Sequence, residues 1–146
     1  MTKDVRAKTA QGPAHRLALR VYYEDTDFSG RVYHAAYLRF LERGRTEWLR
    51  ARGFAQREMA RDASIVFVVR RLTIDFIRPA SMDDVLTIET RLTSLGAASF
   101  DFAQAILREE TILAEALVGV VALKGGRPAR LPPELRARLF DHKADA

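Results

Sequence analysis

Tyr22-Tyr23-Glu24-Asp25-Thr26-Asp27-Phe28-Ser29-Gly30-Arg31-Val32-Tyr33-His34 decides how this chain folds. On its N-terminal side Leu17, Leu19 and Val21 alternate with Ala18, Arg20 and Tyr22, the two-residue period of a strand running from Leu17 to Glu24. Asp25 to Gly30 is turn chemistry, because Asp and Ser side chains bond nearby backbone and Gly accepts conformations closed to other residues. On its C-terminal side the period lengthens. Tyr37, Phe40, Leu41, Gly44, Trp48 and Leu49 fall on one broad face of a helix from about His34 to Arg52, and Gly53 supplies its stop.

Beyond that helix the strand period returns. After a short helical turn at Gln56 to Asp62 come four strand-like stretches, about Ile65 to Arg78, Val85 to Leu95, Ala97 to Arg108 and Thr111 to Lys124. The links between them are short, so neighbours pair antiparallel. The last stretch is apolar on both faces and belongs in the middle of the sheet. Gly44 costs about 1 kcal/mol in a helix interior, so its place on the apolar face predicts close packing of backbone against the sheet. Gly125, Gly126 and the following prolines release the chain into an extension, residues 125–146, with a small helix from Glu134 to Phe140. One long helix against a five-stranded antiparallel sheet is an α+β architecture.

The 146 residues fit one domain, large enough to bury roughly two thirds of the unfolded surface without covalent staples. Residues 1–16 are polar and mildly basic and read as a flexible lead rather than a secretion signal. No run of about eighteen apolar residues exists, so a cytoplasmic location is expected. The absence of cysteine excludes thiolate catalysis and disulfides, and His15, His34 and His142 are too scattered to predict a metal site. The net charge of +5 is spread along the chain among nineteen acids, which fits an anionic small molecule better than nucleic acid.

The chemistry concentrates where the acidic turn meets the helix start. Asp27, with a reference pKa of about 3.9, is ionised at neutral pH and fit to attack a carbonyl or to take a proton from water. His34 sits at the head of the helix, where first-turn N–H groups lack intrahelical acceptors and polarise a carbonyl oxygen. Tyr23 is placed to orient the carboxylate or substrate. Gly30 permits the turn and the close approach of a ligand. Ser29 lacks the strand-turn-helix setting of a serine nucleophile. Arg70, Arg71 and Lys124 are candidates, with Arg91, Arg127 and Arg130, for holding phosphates at a pocket mouth, although each reads more readily as a solvated strand-face or loop charge.

Tyr22 to Asp27, Gly30, Val32-Tyr33-His34, Tyr37 to Phe40 and Glu42 to Leu49 resemble the 4-hydroxybenzoyl-CoA thioesterase-like group of the hotdog superfamily, and within it the acyl-CoA thioesterases associated with the Tol-Pal system. The resemblance extends in order of elements from about Leu17 to Lys124. It departs at Ala36 and at Phe28-Ser29, where the family commonly carries asparagine and a small Ala-Gly pair.

That resemblance implies a hotdog fold, a curved sheet wrapped around the central helix. It also implies protomers paired as a homodimer or homotetramer and hydrolysis of acyl-CoA without metal or other cofactor. Asp27 then corresponds to the catalytic carboxylate, with His34 and Tyr23 as companions. It further implies an acyl carrier protein or a Tol-Pal-linked membrane complex as partner, and a place peripheral to the inner membrane. The alternative is a non-catalytic hotdog module that binds acyl-CoA or acyl carrier protein.

Overall fold

The structure is a computed structural model and describes residues 14–139. Its strands are β1 (His15–Arg20), β2 (Val66–Phe76), β3 (Val85–Leu95), β4 (Ser99–Arg108) and β5 (Thr111–Lys124), with a short β6 (Arg127–Pro128). They form one antiparallel sheet in the order β1-β3-β4-β5-β2, and β6 pairs with β5. Three helices accompany the sheet: α1 (His34–Ala51), α2 (Gln56–Asp62) and α3 (Pro133–Leu139). The α+β sheet-on-helix architecture is the one the residue periods predict, with β5 internal between β4 and β2.

α1 buries Ala36, Tyr37, Phe40, Leu41, Gly44, Arg45, Trp48 and Leu49, the stripe that helical spacing creates. Phe102 and Phe100 meet this stripe from β4, and Trp48 packs edge-on against Phe102 with ring centroids 4.9 Å apart. The helix ends in a Schellman motif. Gly53, at φ +85°, donates its N–H to Arg50 O, and Phe54 donates to Leu49 O, each at 3.0 Å.

Both ends of the first strand differ from the sequence reading. The first strand stops at Arg20 rather than Glu24, since the Asp25 carboxylate accepts the Tyr22 N–H at 2.9 Å and curls Tyr23–Asp25 into a 3-10 turn. At its other end this strand begins at His15, within the stretch read as a flexible lead. The rest of that lead, the end of the C-terminal helix at Phe140 and the remainder of the extension lie outside the described residues.

β2 is an edge strand. Among the described residues it pairs on one side only, with β5, and its register shifts between Val69 and Arg71, so Arg70 occupies a bulge. Val66, Val68 and Val69 are exposed along it. Apolar side chains on a long unpaired edge are a template for association.

Gly44 is the tightest point between helix and sheet. A Cβ there would lie 2.6 Å from Ile88 Cγ2, 3.0 Å from Thr90 Oγ1 and 3.1 Å from Gln104 Nε2. Gly44→Ala therefore trades about 1 kcal/mol of helix propensity against about 1–3 kcal/mol of overpacking. A lower urea midpoint is the expected outcome of equilibrium unfolding, and an unchanged or higher midpoint would contradict the close-packing account.

Candidate active site

The two aspartates of Glu24-Asp25-Thr26-Asp27 are separated by burial. Asp25 is structural: its carboxylate holds the Tyr22 N–H and approaches Arg39 Nη2 at 3.5 Å, while its carbonyl accepts the Tyr33 N–H at 2.8 Å. Asp27, two residues on, is exposed at the start of a tight turn. Gly30 closes that turn at φ +81°, donating its N–H to Asp27 O at 3.0 Å, and Thr26 bridges to Val32 across it. A Cβ at Gly30 would meet nothing within 4 Å, so backbone conformation rather than crowding demands glycine here.

Asp27 Oδ1 accepts both the Ser29 hydroxyl and, at 2.8 Å, the Ser29 N–H. These bonds, the hydroxyl foremost, hold the carboxyl below its ordinary value, with a smaller contribution from the nearby His34. Val32 N–H then bonds Ala80 O at 2.9 Å, and the chain enters α1 directly at His34. This entry lacks a side-chain cap hydrogen bond, so first-turn N–H groups are left without a side-chain acceptor, although Ala36 donates back to Tyr33 O at 2.8 Å.

Asp27 and His34 line one open cleft of about 340 Å³, with Arg31, Tyr37, Phe76 and Arg78 among its other walls. The His34 ring stacks edge-on to Tyr33 at 4.6 Å and to Phe76 at 6.4 Å. Tyr37 forms part of the floor, its hydroxyl accepting the Ala80 N–H at 3.0 Å, and burial pushes its pKa up. The opposite wall is the loop before β3. Asp84 braces that loop through the Ser81 N–H at 2.9 Å and Arg108 Nη1 at 2.8 Å.

Of the residues singled out from sequence, the structure brings together Asp27 and His34, with Gly30 closing the turn between them. Tyr23 is 78% exposed in the 3-10 turn and does not line the cleft. Arg70, Arg71 and Lys124 are exposed on β2 and at the end of β5 and do not line it either. The arginines that do are Arg31 and Arg78. The signal for them was present: Arg31 lies inside the turn motif, and Arg78-Pro79 ends a strand whose last residue, Phe76, packs against the helix head.

Ser29 is an inexpensive handle on Asp27. Ser29→Ala removes the hydroxyl that contributes most to the depressed carboxyl pKa, so the Asp27 titration midpoint, followed by carboxyl NMR, should move up from below its ordinary value. A midpoint that stays put would contradict the assigned cause.

Residues 21–139 match the family described as the Thioesterase-like superfamily. The chain is 41% identical over 126 residues to the acyl-CoA thioesterase YbgC of Haemophilus influenzae, covering 85% of this chain and 92% of that protein. A probable thioesterase from Bartonella henselae, of known crystal structure, superposes with a TM-score of 0.79 at 46% identity, covering 82% of this chain and 99% of the other. A thioesterase from Thermus thermophilus, crystallised with coenzyme A and Zn, superposes with a TM-score of 0.76 at 28% identity, covering 88% and 98%. With a carboxylate and an uncapped helix head facing one cleft on a sheet-wrapped helix, and with these matches along most of its length, the chain belongs to the thioesterase-like superfamily of hotdog proteins.

Proposed function

We propose that this protein hydrolyses acyl-CoA thioesters at the Asp27 cleft. The observation that carries this reading is the shared cleft itself, lined both by Asp27 and by His34 at the uncapped head of α1, a carboxylate and a source of free N–H groups. Thioester cleavage needs those two things on opposite sides of one carbonyl. The names of the relatives, an acyl-CoA thioesterase among them, support the same reaction.

In this reading the carbonyl oxygen sits at the His34 N–H, where one such donor lowers the barrier by about 2.7–4 kcal/mol. Asp27 either attacks the carbonyl carbon, forming a mixed anhydride that water then cleaves, or removes a proton from an attacking water. In both routes the C–S bond breaks, the thiolate takes up a proton from His34 or solvent, and a free acid and coenzyme A leave. The Ser29 bonds that lower the Asp27 pKa favour its ionised form, which either route requires. Arg31 and Arg78 line the cleft and are cations suited to the coenzyme A phosphates. A carrier-protein thioester presents the same bond, and comparing it with acyl-CoA settles the preferred carrier.

The apolar edge of β2 supports a homodimer in which two copies join their β2 strands antiparallel into one continuous sheet. No helix among the described residues is long and apolar enough to cross a membrane, which agrees with action on a water-soluble acyl-CoA.

Asp27→Asn keeps the turn's shape and removes the ionised carboxylate that either route needs. Thiol release from acyl-CoA should fall by at least about 10²-fold while binding of coenzyme A, followed by calorimetry, stays within a few-fold. Binding without turnover in the wild type would favour the non-catalytic module instead. Val69→Lys on the β2 edge should shift the protein to monomer in sedimentation, and an unchanged assembly would place the interface elsewhere.

A further inference from the structure

A second recess lies on the other half of β2. It is a slot of about 170 Å³ between α1 and the inner face of the sheet, with Arg45, Thr46, Phe67, Val69, Phe102 and Val120 in its walls. Its apolar side comes from the strands and its polar side from the helix. A cavity of about 150 Å³ is enough to take up benzene, so the slot suits a group of about six carbons.

Arg45 is the unusual element. It is buried, and its Nη1 donates to Gln104 Oε1 at 3.0 Å, a neutral acceptor. Gln104 spends its amide on Leu41 O and Thr90 Oγ1, each at 2.9 Å. Glu42, the nearest acid on the helix, accepts from Thr46 Oγ1 at 2.9 Å instead of forming an ion pair with Arg45. Burial lowers the Arg45 pKa, with Glu42 partly offsetting it, as expected of a cation short of partners. A guanidinium carries five donors, and a single neutral acceptor leaves most of them to be satisfied from the slot.

The position of the slot says whose substrate it would hold. Val68 and Val69, near the start of β2, border it, whereas Phe76 and Ile77, at and just past the strand's end, border the Asp27 cleft. Antiparallel pairing of two β2 edges about a two-fold axis sets the start of one strand against the end of the other. The slot of one protomer is thereby brought beside the cleft of its partner.

We propose that this slot receives the far end of the acyl group whose thioester lies at the partner's cleft, and that Arg45 selects a short acyl chain bearing a hydrogen-bonding oxygen near that end. The inference rests on the thioesterase reading and on the β2-paired dimer. It makes Arg45 a specificity-determining residue rather than a participant in bond cleavage. A saturated chain in the slot adds no acceptor to the guanidinium's bond with Gln104 Oε1, whereas a hydroxyl or carbonyl oxygen does.

The test compares hexanoyl-CoA with 5-oxohexanoyl-CoA, which match in length, on wild type, Arg45→Met and Arg45→Lys. The readout is the ratio of the two kcat/KM values within one preparation, which does not depend on how much of the protein is folded. Wild type should prefer the oxo substrate by at least about tenfold, Arg45→Met should bring the ratio near one, and Arg45→Lys should restore part of it. A wild-type ratio near one, or a ratio that Arg45→Met leaves unchanged, overturns the assignment while Asp27-dependent hydrolysis of hexanoyl-CoA leaves the thioesterase reading standing. Failure to hydrolyse either substrate overturns both.

The placement across two protomers has its own arm. Asp27→Asn loses the carboxylate and Thr46→Trp fills the slot, so each alone should be nearly inactive. Subunits mixed by co-refolding should recover activity, because one site in each mixed dimer is intact. Full activity in Thr46→Trp, or no recovery on mixing, overturns it.

Discussion

The pairing of the Tyr33 N–H with Asp25 O, at 2.8 Å, sets the rest of the site. It folds the acidic turn back onto the head of α1, so that the chain leaving the turn has no option but to start a helix beside it. Thr26 bridging Val32 and Ala80 O accepting the Val32 N–H hold the same hairpin from two further sides. Asp27 is thereby held against a helix head with no capping side chain. A capped entry would have spent on a local side chain the donors that the proposed reaction uses.

The division between Asp25 and Asp27 follows from the same constraint. A buried carboxylate must be satisfied by its neighbours, and Asp25 is satisfied by backbone and Arg39. An exposed one beside a cleft is available, and among the described residues the Asp27 carboxylate is bonded only from Ser29, which lowers its pKa. Two acids two residues apart thus serve opposite purposes. The loop braced by Asp84 and Arg108 completes the wall and places Arg78 beside the cleft.

The fold was legible because its signals are periodic. The stripe from Tyr37 to Leu49 and the alternation in β4 come directly from burial, and the tight approach at Gly44 follows from a glycine on an apolar helix face. Asp27, His34 and Gly30 were legible because they share one short segment. The misread strand end at Tyr22 to Glu24 has a local cause, since period alone could not show that Asp25 turns back on the Tyr22 N–H. Arg31 and Arg78 are not legible as cleft residues because they are 47 positions apart in sequence and come to one cleft only in the folded chain, where Arg31 bridges to Ser81. Gln104 is another case: a polar residue on the core face of β4 looks out of place until Arg45, Leu41 and Thr90 are seen around it.

The central claim is geometric, that Asp27 and the head of α1 address one carbonyl from opposite sides. A crystal structure with a non-hydrolysable ketone analogue of an acyl-CoA tests it most directly. The account predicts the ketone oxygen within about 2.7–3.1 Å of a first-turn N–H of α1, with an Asp27 carboxylate oxygen against the opposite face of the carbonyl carbon. A ketone bound elsewhere, or with Asp27 turned away to solvent, would contradict it.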